Sequence, residues 1–136
     1  MSREKIPQAK RIVIKVGTST LIYNNGKVNY GRIEALARVI SDLMNQEKEI
    51  VLVSSGAIGV GVAKMNLKQR PTAIKDKQAV SAVGQCELMH IYSRSYMDFG
   101  RMVGQILLTR DVVQQKEGYD NVKNTIMTLL ECGILP

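Results

Sequence analysis

Tryptophan is absent, and phenylalanine and histidine occur once each, as Phe99 and His90. Without aromatics interleaved among basic residues, the chain has no platform on which bases would stack. The formal charge of +7 therefore does not by itself mark a nucleic-acid binder. Only Lys64, Lys68, Arg70, Lys75 and Lys77 cluster, and they read as a solvated loop and helix start. An anionic small substrate accounts for the charge at least as well. The two cysteines, Cys86 and Cys132, lie far apart with no CxxC pair, which argues for reduced thiols and against a structural zinc. Both fall on apolar helix faces and are expected in the core; His90, inside a helix, is expected as a packing residue. Long apolar runs are missing too: Ile50–Val53 and Ile106–Leu108 are far too short for a membrane span. Arg3, Lys5 and Lys10 have no hydrophobic region behind them, so they form no secretory signal. The cytoplasm is the expected compartment.

What is present is ordinary globular material. With 45% hydrophobic and 23% charged residues, the 136-residue chain is neither disordered nor fibrous. A single domain of this size buries roughly two-thirds of its unfolded surface. The organising stretch is Ile12-Val13-Ile14-Lys15-Val16-Gly17-Thr18-Ser19-Thr20-Leu21. Along a strand, Ile12, Ile14 and Val16 share one face, and Val13 and Lys15 the other. A lysine in a strand covered on both sides is costly unless its ammonium reaches water, a counter-charge or a ligand. Lys15 stands at the carboxyl end of the strand, where open α/β sheets bind ligands. Gly17 lets the backbone approach a ligand closely, and the amides around Thr18, Ser19 and Thr20 can face an anion. Read alone, the stretch fits a phosphate seat or a lysine snorkelling from a strand end.

Leu21-Ile22-Tyr23 reads as extended into a tight turn at Asn24-Asn25-Gly26. Asn29 is a predicted N-cap for an amphipathic helix to about Glu47. The apolar run Ile50–Val53 predicts a parallel strand covered on both faces. It ends in Ser54-Ser55-Gly56-Ala57-Ile58-Gly59-Val60-Gly61, a second strand-to-small-turn element. Its GxxGxG order is not the dinucleotide fingerprint, and no P-loop GK[ST] follows. The glycines fit either a ligand turn or tight packing. A long helix is predicted from about Thr72 to Asp98, with one stripe at Ala79, Ala82, Val83, Cys86, Met89 and His90 and a second at Val80, Gly84, Leu88 and Ile91. Gly84 would let another helix or a partner subunit approach. Met102–Thr109 predicts a third strand, with Thr109-Arg110-Asp111 at its carboxyl end. A last helix from near Asp120 should bury Val122, Ile126, Leu129 and Leu130, before Ile134-Leu135-Pro136 opens a fourth strand. The order predicts a three-layer α/β/α sandwich on a mostly parallel sheet, incomplete in this chain.

Four blocks carry a resemblance: Ile14–Leu21, Val53–Ile58, Lys77–Gln85 and Gln105–Arg110. Together, in this order, they resemble the amino acid kinase family, at the branch that phosphorylates glutamate. The likeness spans nearly the whole chain, and residues 1–136 read as the N-terminal, substrate-binding part of a longer kinase domain. It implies transfer of the ATP γ-phosphoryl group, with Mg2+, to the side-chain carboxylate of L-glutamate, the entry to proline synthesis. Proline as feedback inhibitor and a homo-oligomer are implied with it. By residue, Lys15 matches the family lysine on the ATP phosphates, and Gly17, Thr18 and Ser19 match the adjoining phosphate turn. Ser55 matches the substrate-binding serine, with Gly56 and Ala57 shaping the pocket beside it. Lys77 and Gln78 match a recurrent block with no contact assigned. The family's acidic substrate-binding segment, a further catalytic aspartate and lysine, and most of the nucleotide pocket have no counterpart here.

The rivals are the acetylglutamate, carbamate, aspartate and uridylate kinases of the same fold, and a short non-catalytic binding module. A nucleic-acid binder is the weakest. If residues 1–136 were active alone, a catalytic aspartate would have to come from Asp76, Asp98, Asp111 or Asp120, with Asp111 the first to test.

Overall fold

The computed structural model describes residues 8–136, so Arg3 and Lys5 lie outside the described residues. Two short strands, β1 (Arg11–Val16) and β2 (Glu49–Ser54), pair in parallel. Their register sets Ile12 beside Ile50, Lys15 beside Val53 and Val16 beside Ser54. Both strands are rich in β-branched residues, which suit a pleated surface. Between them run a single turn of helix, α1 (Thr18–Leu21), and α2 (Tyr30–Asn45). Asn29 caps α2, its Oδ1 accepting from the Arg32 amide at 3.1 Å. Ile33, Ala37 and Ile40, spaced at four and three residues, are buried and hold α2 on the sheet.

After β2 come α3 (Ala57–Lys64) and the long α4 (Ile74–Met97), then α5 (Arg110–Gln114) and α6 (Lys116–Glu131). The core gathers Val16, Leu21 and Ile50 with Leu88, Ile91 and Tyr96 of α4. Each such side chain, fully buried, contributes about 1.5–3 kcal/mol. Helices α3 and α4 touch backbone to backbone. A Cβ built on Gly61 would lie 2.1 Å from the Val80 carbonyl oxygen, and one on Gly84 would lie 1.7 Å from that of Ala57. The packing expected of Gly84 is thus a helix within this chain.

Several expectations are corrected. Leu21 ends the helical turn instead of continuing the strand; extended backbone resumes at Ile22, which pairs antiparallel with Val28 around the predicted turn at Gly26. The third predicted strand reduces to one parallel bridge, Val103 with Leu135, in which the Leu135 amide donates to the Met102 carbonyl at 3.0 Å and the Gly104 amide to the Leu135 carbonyl at 2.8 Å; the pairing goes no further among the described residues. The fourth is an extended end, in which the Leu52 amide donates to the Pro136 carbonyl at 2.9 Å. Strand β2 is covered on one face only: Val53 is 42% exposed and Val13, across from Val51, is 62% exposed. On α4 the stripe through Val80, Gly84, Leu88 and Ile91 is the buried one, extended by Tyr92 and Tyr96. Cys86 and His90 sit off that stripe and are exposed, as is Cys132 at the end of α6. Residues Val122, Ile126, Leu129 and Leu130 are half-buried, not buried. The final helix also begins earlier than Asp120, at Lys116.

Candidate active site

The first turn follows directly from β1. Lys15 is exposed on the open face of the strand pair, and Gly17 is extended before the chain turns into α1. The turn closes when the Thr20 amide donates to the Gly17 carbonyl at 3.0 Å and the Ile22 amide to that of Thr18 at 2.9 Å. The Lys15 Nζ lies 4.0 Å from the point a Cβ on Gly17 would occupy, so the ammonium folds back beside the turn. A strand end with an exposed ammonium is inexpensive, which removes the energetic objection to a lysine at this position.

The second turn is built by Ser54, Ser55 and Gly56. Gly56 has φ 117°, a left-handed conformation that favours glycine, and it swings the chain from β2 into α3. The two turns meet. The Ser55 amide donates to the Val16 carbonyl at 3.1 Å, and the Ser55 Oγ donates to the same oxygen at 3.2 Å. A Cβ on Gly56 would sit 3.2 Å from Leu21 Cδ1 and 3.6 Å from Thr18 Cα. A Cβ on Gly59 would be 2.9 Å from Thr18 Cγ2, so Gly59 serves this contact and Gly61 the helix packing. Lys15, Gly17, Thr18, Ser55, Gly56 and Ala57 therefore share one edge of the sheet.

That edge favours anions. The first amides of a helix lack intrahelical acceptors and carry partial positive charge. Helix α1 opens beside the Lys15 ammonium and α3 opens across the Val16 contact, each after a glycine that offers no side-chain cap. With its proton on Val16, the Ser55 hydroxyl can act towards a ligand only as an acceptor. The residues named here supply an ammonium, hydroxyls and backbone amides and include no carboxylate. No group of three or more His, Cys, Asp or Glu residues able to hold a metal occurs among the described residues. Magnesium in enzymes is held by one or two carboxylates together with substrate phosphates, so these residues do not fit as its protein ligands.

The Ser19 amide belongs to the first turn, while its side chain and the other predicted residues stand apart. Ser19 is exposed and lines a surface hollow of about 530 Å³ with Tyr23, Asn25, Asn29 and Arg32. Lys77 is half-buried and Gln78 exposed, in the first turn and a half of α4. Thr109 caps α5, its Oγ1 accepting from the Val112 amide at 3.4 Å, while Arg110 and Asp111 face solvent. A second cavity, of about 410 Å³, runs past Ser54, Gln85, Tyr92 and Gln105. Sequence reasoning missed Tyr92, whose hydroxyl lies 2.7 Å from Ser54 Oγ. A signal existed: Tyr92 stands one helical turn beyond Leu88, on the buried stripe, and a buried phenol needs a partner.

The amino acid kinase family model matches residues 10–136, and the chain belongs to that family. Among curated relatives, the glutamate 5-kinase of Clostridium perfringens is 58% identical over 134 residues, covering 98% of this chain and 50% of that protein. The glutamate 5-kinase of Listeria innocua is also 58% identical, with 98% of this chain and 49% of the relative covered. That of Enterococcus faecalis is 57% identical over the same shares. The chain spans about half the length of these relatives.

Proposed function

We propose that the protein carrying this chain transfers the γ-phosphoryl group of ATP to the side-chain carboxylate of L-glutamate, forming γ-glutamyl phosphate for proline synthesis. Residues 1–136 are the N-terminal, substrate-binding part of its kinase domain. The observation that carries the reading is the contact of two anion-favouring turns, Lys15–Ser19 and Ser55–Ala57, through the Val16 carbonyl. The names of the relatives supply the substrate class.

The chemistry suits the residues. A carboxylate is already a nucleophile at neutral pH, so no general base is needed, and the rate comes from aligning two anions and neutralising the moving group. Lys15 neutralises charge on the phosphoryl group, and the turn at Gly17, Thr18 and Ser19 seats phosphate oxygens on its amides. On the other turn, the lone pairs of Ser55 suit the ammonium of glutamate. The amides of Gly56 and Ala57 suit a carboxylate. Magnesium accompanies the nucleotide's phosphates, and no step here is assigned to it. A cytoplasmic homo-oligomer inhibited by proline completes the proposal.

The test is ADP release by the full-length protein across an acceptor panel. L-glutamate should support turnover, and N-acetylglutamate, aspartate, carbamate and uridylate should not. Preference for any of those four would move the protein to another branch of the family.

A further inference from the structure

A hydrogen-bond chain runs from the buried side of α4 to the junction of the two turns. Ser54 Oγ donates to the Ser55 carbonyl at 3.3 Å, which uses its only proton. When Ser54 gives its proton to the Ser55 carbonyl, the 2.7 Å contact with the Tyr92 hydroxyl, which either oxygen can donate, has Tyr92 as donor. Ser55 in turn donates its amide and its hydroxyl to the Val16 carbonyl. The order is Tyr92 to Ser54 to Ser55 to Val16, ending one residue before Gly17. The two bonds that share the Ser54 hydroxyl polarise and strengthen one another, and the bonds to Val16 hold the same residue from its amide and side chain. The source of the chain is fixed. Tyr92 is 4% exposed on the stripe that anchors α4, with its ring 6.4 Å from that of Tyr96. Burial raises its pKa above the ordinary phenol value, so it keeps its donor proton at working pH.

We infer that Tyr92 is a positioning residue for the acceptor substrate: its hydroxyl, acting through Ser54, fixes the Ser55 carbonyl and thereby the side chain and amides of Ser55–Ala57. No contact of Tyr92 with substrate is required. The inference rests on the proposal that Ser55 binds glutamate, and it adds the residue that holds Ser55 in place. Loss of this hydroxyl should loosen one turn and leave the other, which follows Lys15, in place.

The experiment uses the full-length protein and the variants Tyr92→Phe, Ser54→Ala, their double and Ser55→Ala. Tyr92→Phe keeps the ring and removes the donor; Ser54→Ala breaks the same chain without touching the core. Either single change should raise the glutamate KM about fivefold, the worth of one ordinary hydrogen bond. The ATP KM should stay within about twofold. The double variant should be no worse than the poorer single one, because both cut one chain. Amide hydrogen exchange at Ser55 should quicken several-fold, with Leu52 unchanged. An unchanged glutamate KM in Tyr92→Phe and Ser54→Ala, beside a raised one in Ser55→Ala, overturns the role of Tyr92. Additive losses in the double variant overturn the chain. If Ser55→Ala leaves the glutamate KM alone, the substrate assignment fails, and the exchange rate at Ser55 still decides whether Tyr92 holds the turn.

Discussion

Gly84 of α4 lies against the carbonyl of Ala57, the first residue of α3, so closely that a Cβ on Gly84 would stand 1.7 Å from that oxygen. The same Cβ would meet the Gly61 amide nitrogen at 2.5 Å. Backbone on both sides of the contact leaves nothing flexible to give way. The long helix thus sets where α3 begins, and with it the second turn. Gly84→Ala should force the helices apart at a cost of about 1–3 kcal/mol. Glutamate affinity should fall with it, since Ser55–Ala57 would shift. Thermal unfolding together with glutamate kinetics checks this, and a variant of unchanged stability would mean that the helices are not in contact there.

Lys15→Met keeps the apolar stem and removes the charge. If the ammonium meets the phosphoryl group, turnover should drop on the order of 10²–10³, about 3–4 kcal/mol of barrier by comparison with losing one oxyanion donor. Stability should hardly change, because Lys15 is exposed. Near-normal turnover with a lowered melting temperature would make Lys15 a structural residue instead.

The elements that position this site were legible where a local signal decided them. Asn29 as a cap, the glycine turn at residue 26 and the strand-to-turn junctions at Gly17 and Gly56 follow from side-chain chemistry a few residues apart. The third strand was not decided locally, since a strand exists only with a partner, and Val103 alone finds one. Cys86 and His90 were misplaced because α4 has two apolar stripes, and tertiary packing selected the one bearing Gly84. Tyr92 was missed for a related reason: its partner, Ser54, is 38 residues away in sequence.

Tyr96 is fully buried, and its hydroxyl has no hydrogen-bond partner among the described residues. An unpartnered buried hydroxyl is a cost, so Tyr96→Phe should leave stability unchanged or raise it by about 1 kcal/mol. Burial, with a smaller contribution from Tyr92, raises the Tyr96 pKa above the ordinary 10.0. A raised folded-state pKa means that the neutral form is the stable one. Its contribution is complete below pH 10.0 and is lost as pH climbs from there towards the folded-state value. Alkaline unfolding should therefore be shallower in Tyr96→Phe. A strong loss of stability at neutral pH would show that the hydroxyl has a partner.

Residues 1–136 produced alone should show no glutamate-dependent ATP turnover, because positioning supplies most of the rate in phosphoryl transfer and the relatives are about twice as long. The open face bearing Val13 and Val53 should also promote self-association. Size-exclusion chromatography with an ADP-release assay tests both. A monodisperse, active product would contradict them and send the search for a catalytic aspartate to Asp111.

The central claim is that one sheet edge divides its anions between two turns, phosphates on the turn after Lys15 and glutamate on the turn at Ser55. Steady-state kinetics of Ser55→Ala in the full-length protein, with both substrates varied, addresses it most directly. The glutamate KM should rise by the equivalent of about 1–3 kcal/mol, the cost of leaving a polar partner unmatched, with the ATP KM nearly unchanged. Equal damage to both constants, or to ATP alone, would contradict the division.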